Sequence, residues 1–167
     1  MRILEYDREK AVAYAREWAF KRNPAYYNFD QLGGDCTNFA SQCLFAGADV
    51  MNYTPDTGWF YSSLKNRAAA WAGVEYFYRF LKENAERPIG SGAGPFATEI
   101  PLSEIEIGDF IQFGRRTGDF YHTPVVVGFS RGVPLLATHT FDAFNRPLTT
   151  YHFEEIRCLH ILGVRKL

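Results

Sequence analysis

The sequence predicts an α+β fold in which N-terminal helices pack on a C-terminal antiparallel β-sheet. Two observations predict it: hydrophobic residues recur at helical spacing up to about residue 84, and beyond a glycine- and proline-rich stretch the apolar runs become short and strand-like. Over residues 8–22, Ala11, Tyr14, Ala15 and Trp18 share one helical face, while Arg8, Lys10, Arg16 and Glu17 cover the other. Asp7 is placed to cap the start, and Asn23-Pro24 ends the helix because the residue before proline is pushed out of the helical region. A second helix is expected over 36–46, with Asp35 as its cap, Gly47 at its end, and Cys36, Phe39, Ala40 and Cys43 on one face. A third covers about 68–84, with a stripe of Trp71, Val74, Tyr78 and Leu81. Residues 87–95 read as a loop; its glycines follow a helix, not a strand, so it is no phosphate cradle. Strands follow at 109–113 and 123–129. Ser130-Arg131-Gly132-Val133 is a hairpin turn, 135–139 the returning strand, and a last strand lies near 159–164.

The 167 residues suit one domain, taken as 1–167. Hydrophobic residues make up 47% and charged residues 22%, which argues against disorder. The formal net charge is −1 and the basic residues are scattered, so a nucleic-acid partner is not expected. No apolar run approaches the roughly 18 residues of a membrane span. The first residues turn charged before an apolar stretch develops, so no signal peptide is read here. The expected location is the cytoplasm, or outside the cell if a targeting segment has been removed. Cys36 and Cys43 on one helix would lie about 10 Å apart, beyond disulfide reach, so free thiols are expected.

The segment Gly33-Gly34-Asp35-Cys36-Thr37-Asn38-Phe39 carries most of the chemical information. The glycines leave space for a substrate backbone, and Cys36 then falls in the first turn of a helix. Unpaired N–H groups there favour a thiolate and can hold an oxyanion. A thiol titrating below its ordinary value is therefore expected, although Asp35 opposes it. Cys43 and Cys158 read as small buried hydrophobes. A cysteine nucleophile needs a base, usually histidine, and a third group to orient that base. Among four histidines, His122 opens an apolar strand whose rigidity can hold an imidazole at a rim. His139 ends the facing strand, and His152 and His160 suit surface or core roles.

These runs, with Glu106-Ile107-Gly108-Asp109-Phe110, Tyr121-His122-Thr123-Pro124-Val125 and Thr138-His139-Thr140-Phe141-Asp142, occur in the order seen in NlpC-type and CHAP-type cysteine hydrolases. The chain resembles most the putative amidase domain family of bacteria, within the papain-like superfamily. Arg22-Asn23-Pro24, Arg146-Pro147-Leu148 and Leu159-His160-Ile161 extend the likeness over nearly the whole length. The resemblance implies a papain-like, NlpC-type fold and a hydrolase of amide bonds. It implies a peptide or amide substrate, with bacterial cell-wall stem peptides as the class cut by relatives, and no cofactor or metal. It also implies Cys36 as nucleophile and His122 as base. His139 matches the position of the third member, with Asp142 as the alternative. Tyr27 and Gln31 are placed loosely where relatives keep groups near the oxyanion.

Strand register decides between His139 and Asp142. With a two-residue turn at Arg131-Gly132, residue 130 faces 133, His122 lies opposite Phe141, and His139 sits diagonally on the same face. A turn of another length brings Asp142 or Thr140 round instead. Three rival readings stand beside the hydrolase. Cys36, His122, Cys158 and His160 could form a zinc site, although no ligand spacing supports it. The triad equally suits an acyltransferase. A catalytically silent binding module of the same fold would keep the groove alone.

Overall fold

A computed structural model describes residues 1–167. Three α-helices and a curled antiparallel sheet form an α+β fold, as the change of hydrophobic period predicts. The chain enters through β1 (Arg2–Leu4) and then helix α1 (Arg8–Trp18). The Asp7 side chain accepts the Lys10 N–H, capping α1 as expected. The helix ends four residues earlier than 8–22. The Trp18 carbonyl, one of the orphan acceptors of a helix end, is taken by Lys21 N at 3.2 Å and by His139 Nε2 at 2.8 Å.

Helix α2 (Cys36–Ala48) is buried on nearly every side, not only on the expected face. Its polar residues are therefore all partnered within the protein. Asn38 Oδ1 accepts the Trp71 indole N–H at 2.9 Å, Ser41 Oγ accepts that of Trp59 at 3.0 Å, and Gln42 Oε1 accepts the Tyr14 hydroxyl. Gly47 does not end the helix, which stops at Asp49 in the left-handed conformation. Gly47 is glycine for another reason: a Cβ there would lie 2.5 Å from the Tyr6 ring and 2.6 Å from the Asp7 carbonyl oxygen.

Next come a short hairpin, β2 (Tyr61–Ser63) and β3 (Asn66–Arg67), and a 3₁₀ turn at Ala69–Trp71. The third helix, α3 (Val74–Glu86), begins only after Gly73, so the expected helix from residue 68 divides in two. Its buried face is Phe77, Phe80, Leu81 and Asn84. Trp59, Trp71, Phe77 and Phe80 fill the space between helices and sheet with Phe39, Leu44 and Phe110. Each such ring buries about 200 Å², worth roughly 5 kcal/mol of transfer free energy before entropy is counted.

The sheet comprises β4 (Gly94–Ile100), β5 (Phe110–Gly114), β6 (Phe120–His122), β7 (Val125–Ser130), β8 (Val133–Thr138), β9 (Ala143–Pro147) and β10 (Glu155–Lys166), with β1. Its order is β1-β10-β5-β7-β8-β9, with β4 also on β10 and β6 also on β5. Strands β1, β4, β6 and β9 of this sheet, like the β2–β3 hairpin, lie outside the expected strands, and β4 takes the end of the stretch read as a loop. No helix is long and apolar enough to cross a membrane.

One register detail governs the site. The two-residue turn forms as expected: Ser130 faces Val133, and Arg131 and Gly132 both have positive φ. A bulge between Val126 and Gly128 then shifts the pairing by one, so Val126 faces Leu136 and Val125 faces Ala137. Nor does β7 continue to His122. Thr123-Pro124 interrupts it, and His122 instead pairs with Phe113 of β5.

Candidate active site

Cys36 occupies the first turn of α2 and His122 the last position of β6, and both line one cavity of about 410 Å³. Gly33 and Gly34 form its lip with φ of 85° and 99°, a conformation that favours glycine. Space beyond Gly33 is open, as the sequence argument requires. Thr123 links the two sides, since its Oγ1 lies 3.1 Å from Thr37 Oγ1, which in turn lies 3.7 Å from the Cys36 sulfur. Gln112 Nε2 holds Thr123 Oγ1 at 3.1 Å and the Val74 carbonyl at 3.0 Å, tying this junction to the start of α3.

The thiol is not depressed. Burial, to 8% exposure, pushes the Cys36 pKa up; hydrogen bonds from Thr37 and Thr123 oppose that rise, and Asp35 adds to it. Burial therefore works against the ready thiolate expected from the helix start. Burial, aided by the Arg146 charge, lowers His122 to about 4. At neutral pH the site therefore holds a neutral thiol and a neutral imidazole. No hydrogen bond joins them in the free protein, a looseness common to sites awaiting substrate.

The third position holds neither expected residue. His139 is fully buried and turned away: Nδ1 lies 2.5 Å from Asp35 Oδ2, Nε2 lies 2.8 Å from the Trp18 carbonyl, and the ring stacks on Phe39 at 4.0 Å. Both of its ring nitrogens thus face acceptors inside the protein, away from His122. Asp142 is held by Arg22 through two hydrogen bonds of 2.9 and 3.0 Å, and the same guanidinium grips Asp30. The physical reason is the register. With β7 bulged and broken at Pro124, the residue of β8 that reaches the imidazole is Thr138, whose Oγ1 lies 3.3 Å from His122 Nε2. That hydroxyl donates its one proton to the His139 carbonyl at 2.8 Å. Nε2 must then be the donor to Oγ1, which leaves Nδ1 of His122 unprotonated and free to act as a base.

Asp35 does not cap α2 through its side chain. Its Oδ1 accepts from Phe29 N at 2.8 Å and Asn38 Nδ2 at 2.9 Å, and its Oδ2 faces His139. The carboxylate thus binds the 29–35 loop to the helix it precedes. Tyr27 and Gln31 lie off the cavity. The Tyr27 backbone is held between the Tyr61 hydroxyl and Asn38 Nδ2, its ring meets Phe29, and Gln31 is exposed. The groups free to hold an oxyanion are instead the first N–H groups of α2. Of the zinc rival's four residues, Cys158 packs among Ile105 and Ile111, and His160 Nδ1 meets Asp109 at 2.8 Å beside Arg8. Neither approaches Cys36.

Sequence reasoning missed Thr138, Arg146 and Tyr151. Arg146 lies 3.9 Å over the Tyr151 ring, which lies 6.3 Å from the His122 ring. Only tertiary placement singles them out, although Thr138 and Arg146 fall within the Thr138–Asp142 and Arg146–Leu148 runs.

The profile of the putative amidase domain matches residues 5–162. An uncharacterized protein, YhbB, of Bacillus subtilis (strain 168) is 34% identical over 145 residues, which span 85% of this chain and 44% of that protein. The chain therefore covers less than half the length of this curated relative. No solved structure matches.

Proposed function

The chain belongs to the putative amidase domain family, and from that premise we propose that it is a papain-like cysteine amidase of the NlpC and CHAP type. The family name suggests amide hydrolysis; the assignment of cysteine catalysis rests on one observation. Cys36, at the start of a buried helix, and His122, on a sheet strand, line the same cavity, with His122 Nε2 occupied by Thr138 and Nδ1 left as acceptor. The helix-on-sheet arrangement agrees with a papain-like fold.

In the proposed reaction the Cys36 sulfur attacks the carbonyl carbon of a bound amide while His122 Nδ1 takes the thiol proton. Proton removal accompanies attack, since a neutral imidazole and a neutral thiol are the resting pair. The carbonyl oxygen gains negative charge and is met by the first N–H groups of α2. As the C–N bond breaks, the imidazolium returns its proton to the departing amine and leaves a thioester on Cys36. Water then attacks the thioester, His122 takes its proton, and the acid and the thiol are released. Thr138 is a positioning residue: it fixes the tautomer and orientation of His122 and touches no substrate.

The substrate class is an amide or peptide, with bacterial cell-wall stem peptides first in line by family likeness. The test is a panel of stem peptides, ordinary peptides and small amides, followed by release of new amine. Turnover that disappears in Cys36→Ala and His122→Ala, with melting temperatures near the parent's, supports the reading. Turnover retained by Cys36→Ala refutes it, and binding without turnover across the whole panel favours a silent module.

A further inference from the structure

The cavity that holds Cys36 and His122 contains no acidic side chain. Its one permanently charged group is Arg146. Arg146 sits on β9, where Nε donates to Thr150 Oγ1 at 2.8 Å and Nη2 to the Thr150 carbonyl at 3.0 Å, with the guanidinium plane over Tyr151. No carboxylate lies within ion-pair distance, and Nη1 makes no hydrogen bond; other arginines also lack an acidic partner, but Arg146 is the one that lines this cavity. A guanidinium held by two neutral acceptors and an aromatic face is preorganised, and this one lines the cavity with Nη1 still without a partner.

Building on the reading of this cavity as the reaction centre, we propose that Arg146 receives a carboxylate of the substrate, so that the protein prefers amides carrying a free carboxylate near the scissile bond. The distances set how near. Steps of 3.9 Å from guanidinium to Tyr151 and 6.3 Å from Tyr151 to the imidazole place the charge no more than about 10 Å from His122. An extended chain advances roughly 3.3–3.6 Å per residue, so the carboxylate belongs within about three residues of the reacting carbonyl. The rest of the lining is apolar or uncharged: Tyr151 and the markedly exposed Phe141 offer surface to the bound chain, and none of it repels an anion. Occupation of Arg146 by a carboxylate also cancels the repulsion that Arg146 exerts on an imidazolium at His122, so the right substrate strengthens its own base.

The test separates binding from chemistry. Acetyl-glutamate amide and acetyl-glutamine amide, which differ only in carboxylate against carboxamide, are titrated into the full chain while the Arg146 Nε–H and His122 ring resonances are followed. The glutamate compound should bind at least about tenfold more tightly. Arg146→Gln should abolish the preference and Arg146→Lys should retain part of it, each checked for an unchanged melting curve. Equal affinity of the two compounds for the parent protein, or a preference that survives in Arg146→Gln, overturns the proposal. These outcomes do not depend on turnover: a carboxylate preference without hydrolysis refutes only the amidase reading, and hydrolysis without the preference refutes only this one.

Discussion

Replacing Thr138 with Val keeps the branched shape of the side chain and removes one hydroxyl. In the structure that hydroxyl donates to the His139 carbonyl at 2.8 Å and accepts from His122 Nε2 at 3.3 Å, inside a fully buried position. Its loss leaves a buried carbonyl and a ring N–H without these partners, which should cost about 2 kcal/mol of folding stability. The catalytic consequence is separate. A neutral hydrogen bond worth about 1 kcal/mol biases the two imidazole tautomers roughly fivefold, and it also restrains ring rotation. Together these should lower kcat by about 10–100-fold while KM stays nearly constant, because Thr138 does not line the cavity. Long-range proton–nitrogen spectra of the imidazoles read the tautomer directly. The parent should carry its proton on Nε2 of His122, Thr138→Val should give a mixture, and Thr138→Ser should restore the parent state and rate. A parent protein protonated on Nδ1, or a Val variant within twofold of parental kcat, refutes the tautomer argument.

Other outcomes follow from the same structure. Because burial raises the Cys36 thiol, its alkylation by iodoacetamide should climb steadily from pH 6 to 9, read by peptide mass mapping; a rate already level at pH 6 would mean a preformed thiolate. His122 is depressed to about 4 from an ordinary 6.5, so between those pH values the unfolded chain binds more protons and stability falls as the pH falls. The full effect is about 3 kcal/mol, and urea unfolding of His122→Asn should show a flatter curve over that window; identical slopes would contradict the assignment. Asp35→Ala removes a buried carboxylate that faces His139 at 2.5 Å and holds Phe29 N, and should lower stability by about 3–5 kcal/mol in urea titration. Gly47→Ala should destabilise by about 1–3 kcal/mol despite the better helix propensity of alanine, since its Cβ would press on the Tyr6 ring; a raised melting temperature would show that the contact relaxes freely.

Local patterns along the chain fix which kinds of element form and where the candidate site starts. Helical spacing around Tyr14 and Trp18, the Asp7 cap and the Arg131-Gly132 turn are local signals, and each produced the expected local structure. Gly33-Gly34 before Cys36 likewise marked a helix start open to a cavity, because left-handed glycines and a first-turn residue are matters of neighbouring backbone. What no local signal carries is the outcome of competition among distant groups. Burial in the folded core raises the Cys36 thiol, against what its place at a helix start suggests. The bulge between Val126 and Gly128, and the passage of β5 from β7 to β6 across Thr123-Pro124, are properties of the assembled sheet. One residue of slip turns every side chain of a strand to its other face, so Thr138 meets His122 while His139 turns to Asp35 and the end of α1. The partners within a hairpin turn are chosen by a few adjacent dihedrals, but the partner of His122 is chosen by the whole sheet.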